Sequence, residues 1–470
     1  MRVALVHPPP ASEFDKHWAR FPVLGLAYVA SSLRRAGHQV TLFDGKLARL
    51  TVEEICDAIV RDPPELVGIT CMTVEYPMAA RIAAGVKARC GAPIVVGGAH
   101  VNAVTAQALE ECAHFDFGCV GEGEYLLNEL LESLAGGRPV DDVPGLLHRR
   151  DGRVVSNGTR PYPKDYDDLP FPAWDLFALG DQVPILTHRG CPFQCNFCGH
   201  NSGFTARFRT PENVLEEIGE VIERHRPRVV RFEDETFGLN LRRTKAIIGG
   251  IIERGYHRRV RFSAQTRVDR IDEEFIDLLK EANFETLELG VESGNPIILK
   301  STRKAITLEQ VERAVALAKS RRLKVWCKFI LGHPYEDVDT VRDTVRFVAK
   351  INPDQLSVAI MTPFPGTPIH AMAVRGEGGY RLMQKGWGSY DKYSSGVLEL
   401  DGISLGKLKF YQIWCYANLY LRNRRFGDAL RLVGSHRTLA VEMLAGWVRQ
   451  TAREWAGRLR GTPAAAPGHA

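Results

Sequence analysis

The chain has 470 residues, 45% hydrophobic and 25% charged, with 61 Lys and Arg against 56 Asp and Glu for a formal net charge of +5. That balance is ordinary for a globular protein, and the length suggests two or three domains. No run of about 18 apolar residues occurs, which excludes a spanning helix, and the basic clusters (Arg258, Arg259 and Arg261; Arg321 and Arg322; Arg422, Arg424 and Arg425) are too short for a nucleic-acid stripe.

The N-terminus, Met1-Arg2-Val3-Ala4-Leu5-Val6, runs straight into a strand pattern and carries no signal-peptide cleavage region. Apolar runs at Val3–His7, Val40–Asp44, Leu66–Met72, Ile94–Gly98 and Phe115–Gly121 alternate with helical periodicity, as over Leu24–Arg35 and Thr51–Val60. Such alternation predicts a parallel α/β sheet of Rossmann or flavodoxin type over residues 1–140, with ligands at the strand carboxyl ends. Turn signals at Gly136-Gly137-Arg138-Pro139, Val143-Pro144-Gly145 and Asp151-Gly152, then an extended stretch Asp165–Trp174, predict a linker over 141–182.

The alternation restarts with strands expected at Pro184–His188, Val229–Glu233, Val260–Gln265, Thr286–Gly290, Lys324–Gly332 and Gln355–Ile360. Helices are expected to start near Pro211, Leu241, Asp272, Leu308 and Val338. Six such units make a partial (β/α)6 TIM-type barrel over 183–372, and a doubly wound open sheet is the alternative. Residues 373–460 read as a helical extension, with Trp387, Tyr390 and Tyr393 and then Phe410–Arg422, suited to cap the open side of the barrel. The Ala-, Pro- and Gly-rich tail 461–470 reads as disordered.

Three cysteines, Cys191, Cys195 and Cys198, share one short loop after the first barrel strand. Three thiolates without a fourth cysteine nearby suit a [4Fe–4S] cluster with one iron open. A zinc knuckle drawing on His200, or cysteines that merely cluster in the core, are the alternatives. The other seven, Cys56, Cys71, Cys90, Cys112, Cys119, Cys327 and Cys415, show no paired spacing and fit a reducing cytoplasm.

The spacing Cys-x3-Cys-x2-Cys, with aromatic Phe197 before the last cysteine, resembles the radical S-adenosylmethionine (SAM) superfamily. There the open iron chelates SAM. On that resemblance Asp234 and Glu235, ending the second strand, accept hydrogen bonds from the SAM ammonium. Arg267, ending the third, pairs with its carboxylate. Glu292, in Gly290-Val291-Glu292-Ser293-Gly294, holds the ribose hydroxyls. Leu331–Glu336 and Thr362–Pro368 either shape an adenine pocket or only turn the chain.

The resemblance extends over Met1 to Pro368 through Pro8-Pro9, Pro22–Ala27, Gly97-Gly98-Ala99-His100 and Gly121-Glu122-Gly123-Glu124. These segments are similar to radical SAM enzymes with an N-terminal cobalamin-binding-type domain. The resemblance implies a cobalamin between sheet and barrel mouth, with Gly97 and Gly98 allowing close approach. A D-x-H-x-x-G motif, which supplies a histidine below cobalt in some cobalamin proteins, is incomplete: Asp15-Lys16-His17-Trp18-Ala19-Arg20 has Arg20 where glycine is expected.

The implied activity is methyl transfer to an unactivated carbon of a small-molecule, secondary-metabolite substrate, as in antibiotic biosynthesis. One SAM methylates the cobalamin, and a second is cleaved to the 5′-deoxyadenosyl radical, which activates the substrate. The rival activity is a cobalamin-independent radical dehydration or cyclisation of an aminosugar-like polyol. By position, Glu292, His333 and Tyr335 are the catalytic candidates; Cys327 could serve by position as well, but free cysteine behaves as a small hydrophobe and it reads rather as a packed strand residue. A non-catalytic iron–sulfur protein is the third reading, and it leaves the acidic, arginine and glycine strand ends without a use. The expected partners are the small-molecule substrate and a one-electron reductase, either flavodoxin- or ferredoxin-type or a dedicated dehydrogenase; neither nucleic acid nor membrane is expected.

Overall fold

The computed structural model describes residues 1–11, 21–163, 165–200, 202–383, 386–393, 396–435, 441, 444–452 and 455. The incomplete motif around His17 and the tail 461–470 lie outside the described residues. Among those described, no helix is long and apolar enough to cross a membrane.

The first sheet has seven strands: β1 (Arg2–His7), β2 (Gln39–Asp44), β3 (Leu66–Thr70), β4 (Ile94–Gly97), β5 (Phe117–Cys119), β6 (Leu146–Arg150) and β7 (Arg153–Ser156). Their spatial order is β2-β1-β3-β4-β5-β6-β7, with the first five parallel. That is the flavodoxin-like order, whose ligand crevice opens between the carboxyl ends of β1 and β3. The helix Leu24–Arg35 buries Leu26, Ala27, Val29, Ala30 and Leu33 on one side of the sheet. The helix Val52–Arg61 starts at a Thr51–Glu54 capping box and packs on the other side through Ile55 and Ile59.

The expected linker over 141–182 differs in its first part. Leu146–Ser156 forms an antiparallel hairpin on the edge of β5. Its turn places Asp151 at φ 50° and Gly152 at φ 76°. Two positive φ values are what an Asp-Gly hairpin turn provides, so this turn signal marks a continuation of the sheet. The later part does run without strands, yet it is anchored: Tyr166 and Leu169 are buried, and the Ala173 N–H donates to the Ala27 carbonyl at 3.0 Å.

The second sheet starts with β8 (Gln182–Ile185). A two-residue ribbon, β9 (His188–Arg189) with β10 (Arg207–Phe208), brackets the cysteine loop. The sheet continues with β11 (Val229–Phe232), β12 (Arg261–Thr266), β13 (Phe284–Glu292), β14 (Lys324–Leu331) and β15 (Gln355–Ile360). All six main strands are parallel and lie in strict chain order. A doubly wound sheet reverses its order part-way; this one does not, so it is the partial (β/α)6 barrel. Its outer face buries Phe232, Phe262 and Phe284 with Phe237 and Phe275 from the connections, ring centroids being 5.4 Å apart for Phe262 and Phe284.

The open edge at β15 is covered by the C-terminal helix Leu405–Arg422. Gln412 donates to the Val358 carbonyl at 2.9 Å, and the Val358 N–H donates to the Tyr416 hydroxyl at 3.2 Å. An edge strand is thereby kept from pairing with another chain. A small hairpin, Tyr380–Leu382 with Leu398–Leu400, precedes that helix and breaks the helical pattern expected there.

The two sheets meet carboxyl end to carboxyl end. Phe21, after β1, lies 5.6 Å from the Arg231 guanidinium of β11. Ala103, after β4, contacts Gly366, after β15. Arg189 joins the loop after β5. Its Nη2 is 2.7 Å from Glu124 Oε1, its Nη1 3.3 Å from Glu122 Oε1, and its guanidinium sits 4.8 and 5.0 Å from the Tyr28 and Tyr166 rings.

Replacing Phe262 with Ala should lower unfolding stability by about 3–5 kcal/mol. The measurement is urea denaturation, with a reduced midpoint and an unchanged slope.

Candidate functional site

The cysteine loop is held in place by its own backbone and by a neighbouring helix. Gly190, before the first cysteine, has φ 88°, and a methyl there would lie 2.2 Å from the Thr205 carbonyl, so only glycine fits. The Cys191 N–H donates to the Gly203 carbonyl at 3.1 Å. Asn196 ties the middle of the loop to the helix Pro296–Ser301: its N–H donates to the Thr302 carbonyl at 3.0 Å and its Nδ2 to the Ser301 carbonyl at 2.8 Å. Cys195 is buried, Cys191 and Cys198 half-buried. Burial pushes the Cys195 and Cys198 thiols up, opposed at Cys195 by the nearby Lys304 and Arg267.

Among the described residues no three His, Cys, Asp or Glu side chains surround a single-ion site. His200 instead stacks on Phe204 at 4.2 Å. The zinc knuckle therefore lacks its geometry. Corners of a cubane stand farther apart than ligands of one ion, and three thiols on one rigid loop suit that donor set.

The strand-end candidates separate into distinct roles. Asp234 is fully buried, and its carboxylate turns back into the protein. It accepts from the Thr187 N–H and Oγ1, both at 2.6 Å, and from the His188 N–H at 3.2 Å. Through these bonds Asp234 fixes the chain that enters the cysteine loop. Glu235 is the carboxylate left over. Its Oε2 is buried without a partner.

Arg267 is likewise committed. It donates to Asp269 at 2.9 and 3.1 Å and to the Lys304 carbonyl at 2.6 Å, and its guanidinium lies 3.6 Å from the Phe193 ring centroid. These contacts hold Arg267 against the cysteine loop. Glu292 sits at φ 72°, just past a bulge in the β13–β14 register, and pairs with Lys304 in a buried contact. A methyl at Gly290 would lie 2.4 Å from Lys304 Nζ; that glycine makes room for the ion pair.

His333 is fully buried and lies 6.2 Å from the Phe197 ring, and among the described residues neither ring nitrogen has a hydrogen-bond partner. Burial lowers its imidazole to about 4. Beside it, burial pushes Glu336 up to about 8, even though Glu336 accepts from the Gly332 and His333 N–H groups. Tyr335 is 68% exposed, with its backbone held by Gly378 at 2.8 Å, and does not join this buried group. Cys327 is fully buried on the outer face of β14, packed in the core.

Several site residues carry no motif signal. Arg231, Gln265, Glu288 and Lys328 project to the inner face of four adjacent strands. Glu288 pairs with Arg231 and, at 2.5 Å, with Lys328, which also reaches Gln265 at 3.2 Å. The inner face of the sheet is thus lined by paired charges, in contrast to its apolar outer face. The period-two recurrence of polar residues along these strands was the available signal.

At the crevice of the first sheet, Gly97 and Gly98 meet the protein itself: a methyl at Gly98 would lie 2.7 Å from Thr70 Oγ1, and one at Gly97 3.3 Å from Cys119. The open space lies instead at Gly121, with φ 97° and no atom within 4 Å of the methyl position. Beneath the crevice, His7 Nδ1 lies 3.0 Å from Asp44 and its Nε2 3.5 Å from Glu75, which also binds Lys46.

The family model for the radical SAM superfamily matches residues 185–348, and that for the B12-binding domain matches residues 19–131. An uncharacterized methyltransferase of Pyrococcus horikoshii is 32% identical over 435 residues, covering 90% of this chain and 93% of that protein. The chain belongs to the radical SAM enzymes that carry a B12-binding domain. The anaerobic magnesium-protoporphyrin IX monomethyl ester cyclase of Rubrivivax gelatinosus is 27% identical over 383 residues, 78% of this chain and 68% of that one. The structure of the radical SAM methyltransferase TsrM from Kitasatospora setae, with cobalamin and a [4Fe–4S] cluster bound, superposes with a TM-score of 0.70 at 21% identity. It covers 81% of this chain and 80% of that one, and speaks for the fold.

This radical SAM enzyme accordingly uses a [4Fe–4S] cluster, SAM and cobalamin. The residues fit them. Three thiols suit the cluster, and the orphaned Glu235 oxygen suits a SAM ammonium. The unpartnered Asp44 Oδ2 and His100 Nε2, with open space at Gly121, suit a corrin rim rich in amide donors.

The first sheet should show its charge network in a pH titration. Burial alone would lower His7, but the hydrogen bonds its ring donates to the Asp44 and Glu75 carboxylates, with their charges, outweigh it and raise the imidazole from 6.5 to about 9. A raised folded pKa contributes stability that is full below pH 6.5 and is lost as pH rises through about 9. Unfolding free energy, followed by denaturant titration, should fall across that window, and His7→Gln should flatten the decline.

Proposed function

We propose that this enzyme moves a methyl group from SAM, by way of cobalamin, to an unactivated carbon of a small-molecule substrate. The observation that carries the reading is the apposition of two carboxyl-end mouths. The cysteine loop opens on one, the B12-type crevice on the other, and Arg189 bolts them together. When bound, the cluster supplies the electron that splits SAM homolytically, and cobalamin carries the methyl group.

The chain's own residues position and shield these groups. Glu235 accepts from the SAM ammonium. Arg267, stacked on Phe193, keeps the cysteine loop fixed while the site is loaded. Glu292, oriented by Lys304, presents its second carboxylate oxygen to ribose hydroxyls. Arg231, Glu288 and Lys328 supply a charged chamber wall, so the substrate end that enters there is polar. His333 is held neutral near pH 7 by its burial and so adds no charge to the site. An unpaired-thiol inventory of ten cysteines is in keeping with work in a reducing cytoplasm, with electrons from a one-electron reductase.

Radical cyclisation or dehydration without methyl transfer is the second reading. The named cyclase among the relatives favours it, as do buried His333 and Glu336 near the mouth. Anaerobic reconstitution with iron, sulfide and hydroxocobalamin separates the two. Stoichiometric corrinoid retention and transfer of a labelled SAM methyl support methylation. 5′-Deoxyadenosine formation without corrinoid retention supports the second reading. Cys195→Ala should abolish 5′-deoxyadenosine, and its survival in that variant would refute both. Glu235→Gln should raise the KM for SAM about tenfold, the size of one charge-assisted hydrogen bond, with cluster absorbance unchanged.

A further inference from the structure

A cluster held at the mouth of a barrel must receive its electron through the protein surface. Electron transfer weakens steeply with distance, so a donor has to seat where the cysteine loop approaches solvent. In that loop Pro192, Gln194 and Gly199 are exposed. Two helices hydrogen-bond the loop at Asn196: Pro296–Ser301 through its terminal carbonyls, and Pro368–Arg375 through the Ile369 N–H, which donates to the Asn196 carbonyl at 3.1 Å; of the two, the first carries the exposed basic face.

The outer face of this helix is unusual. Ile297 is 73% exposed, and Lys300 and Arg303 flank it in solvent. Neither cation has an ion-pair partner among the described residues. Arg270 adds a third cation, 5.3 Å from the Phe193 ring within the cysteine loop. No acidic residue occurs in 190–209 or in 293–308. The neighbouring carboxylates are engaged: Asp269 pairs with Arg267 and Asp343 with Arg346, and Asn295 donates a hydrogen bond to Asp343. An apolar centre with a basic rim is the anatomy of a small, transient protein interface.

We infer that this face, centred on Ile297, Lys300 and Arg303, docks an acidic one-electron carrier protein. The inference rests on the cluster-bearing role of the three cysteines and is independent of which reaction follows. One electron leaves the reduced flavin or iron–sulfur centre of the carrier, which is oxidised, and enters the cluster, which is reduced. No bond forms and no proton moves. Charge complementarity selects the carrier by raising encounter rate and orienting it.

The test uses reconstituted enzyme, the Lys300→Glu/Arg303→Glu double variant, and Ile297→Ala, with reduced flavodoxin as probe. Anaerobic calorimetry gives flavodoxin affinity at low and high salt; stopped-flow bleaching gives the rate of cluster reduction by flavodoxin and by dithionite. The double variant should lose about tenfold in both affinity and flavodoxin-driven rate while dithionite reduces it at the wild-type rate. Ile297→Ala should weaken affinity with little change in salt dependence. Three results would overturn the inference: unchanged flavodoxin affinity, equal loss with both reductants, or a wild-type dimer dissolved by the charge reversals. If wild-type protein takes up no iron or sulfide, the cluster reading fails, and the affinity measurement still decides the docking.

Discussion

The Arg189 guanidinium is the interaction on which the arrangement of this enzyme depends. It is buried between two tyrosine rings and two carboxylates that belong to the other sheet. Arg207 reinforces it, with Nη2 2.9 Å from Glu122 and Nη1 2.9 Å from the Tyr166 hydroxyl. A buried charge of this kind is costly unless every lobe is paired. The pairing exists only when the loop after β5 meets the ribbon around the cysteine loop. Arg189 is two residues from Cys191, so the contact that joins the sheets also fixes the start of the cluster loop.

A second layer of constraint lies within the barrel. Asp234 anchors the entrance to the cysteine loop, Arg267 clamps its middle through Phe193, and Asn196 ties its far side to a helix. Each uses a side chain from a different strand end or connection. The loop is thus determined from three directions before any cofactor is present, which keeps the cost of ordering it out of cofactor binding. The charged inner face of β11 to β14 contrasts with the phenylalanine stack on the outer face: one surface of the sheet holds the fold, the other is left for a ligand.

Much of this was legible in the sequence. Hydrophobic periodicity located the helix Leu24–Arg35 and the helix starts at Pro211, Leu241, Leu308 and Val338, because long amphipathic segments write their burial into the chain. The cysteine spacing was legible for the same reason: its ligands are local. Asp234 and Arg267 were chosen by type and position, but sequence does not tell whether a polar side chain at a strand end faces a ligand or turns to its own backbone. Lys304 was invisible because a bulge and an intervening helix bring it to Glu292. Tyr335 shares a segment with His333, yet a positive φ at Tyr335 sends neighbours in sequence to different surroundings. The Leu146–Ser156 hairpin was hidden by reading Asp-Gly as an end instead of a reversal.

The face-to-face seating of two strand poles has a topological corollary. In a single α/β unit, a bound molecule has protein on one side and bulk water on the other. Here the roof over one pole is the floor over the other, so a molecule bound between them would face the cysteine loop on one side and the B12-type crevice on the other. A reactive species formed at one wall would then need only to turn, not to travel, to reach the second.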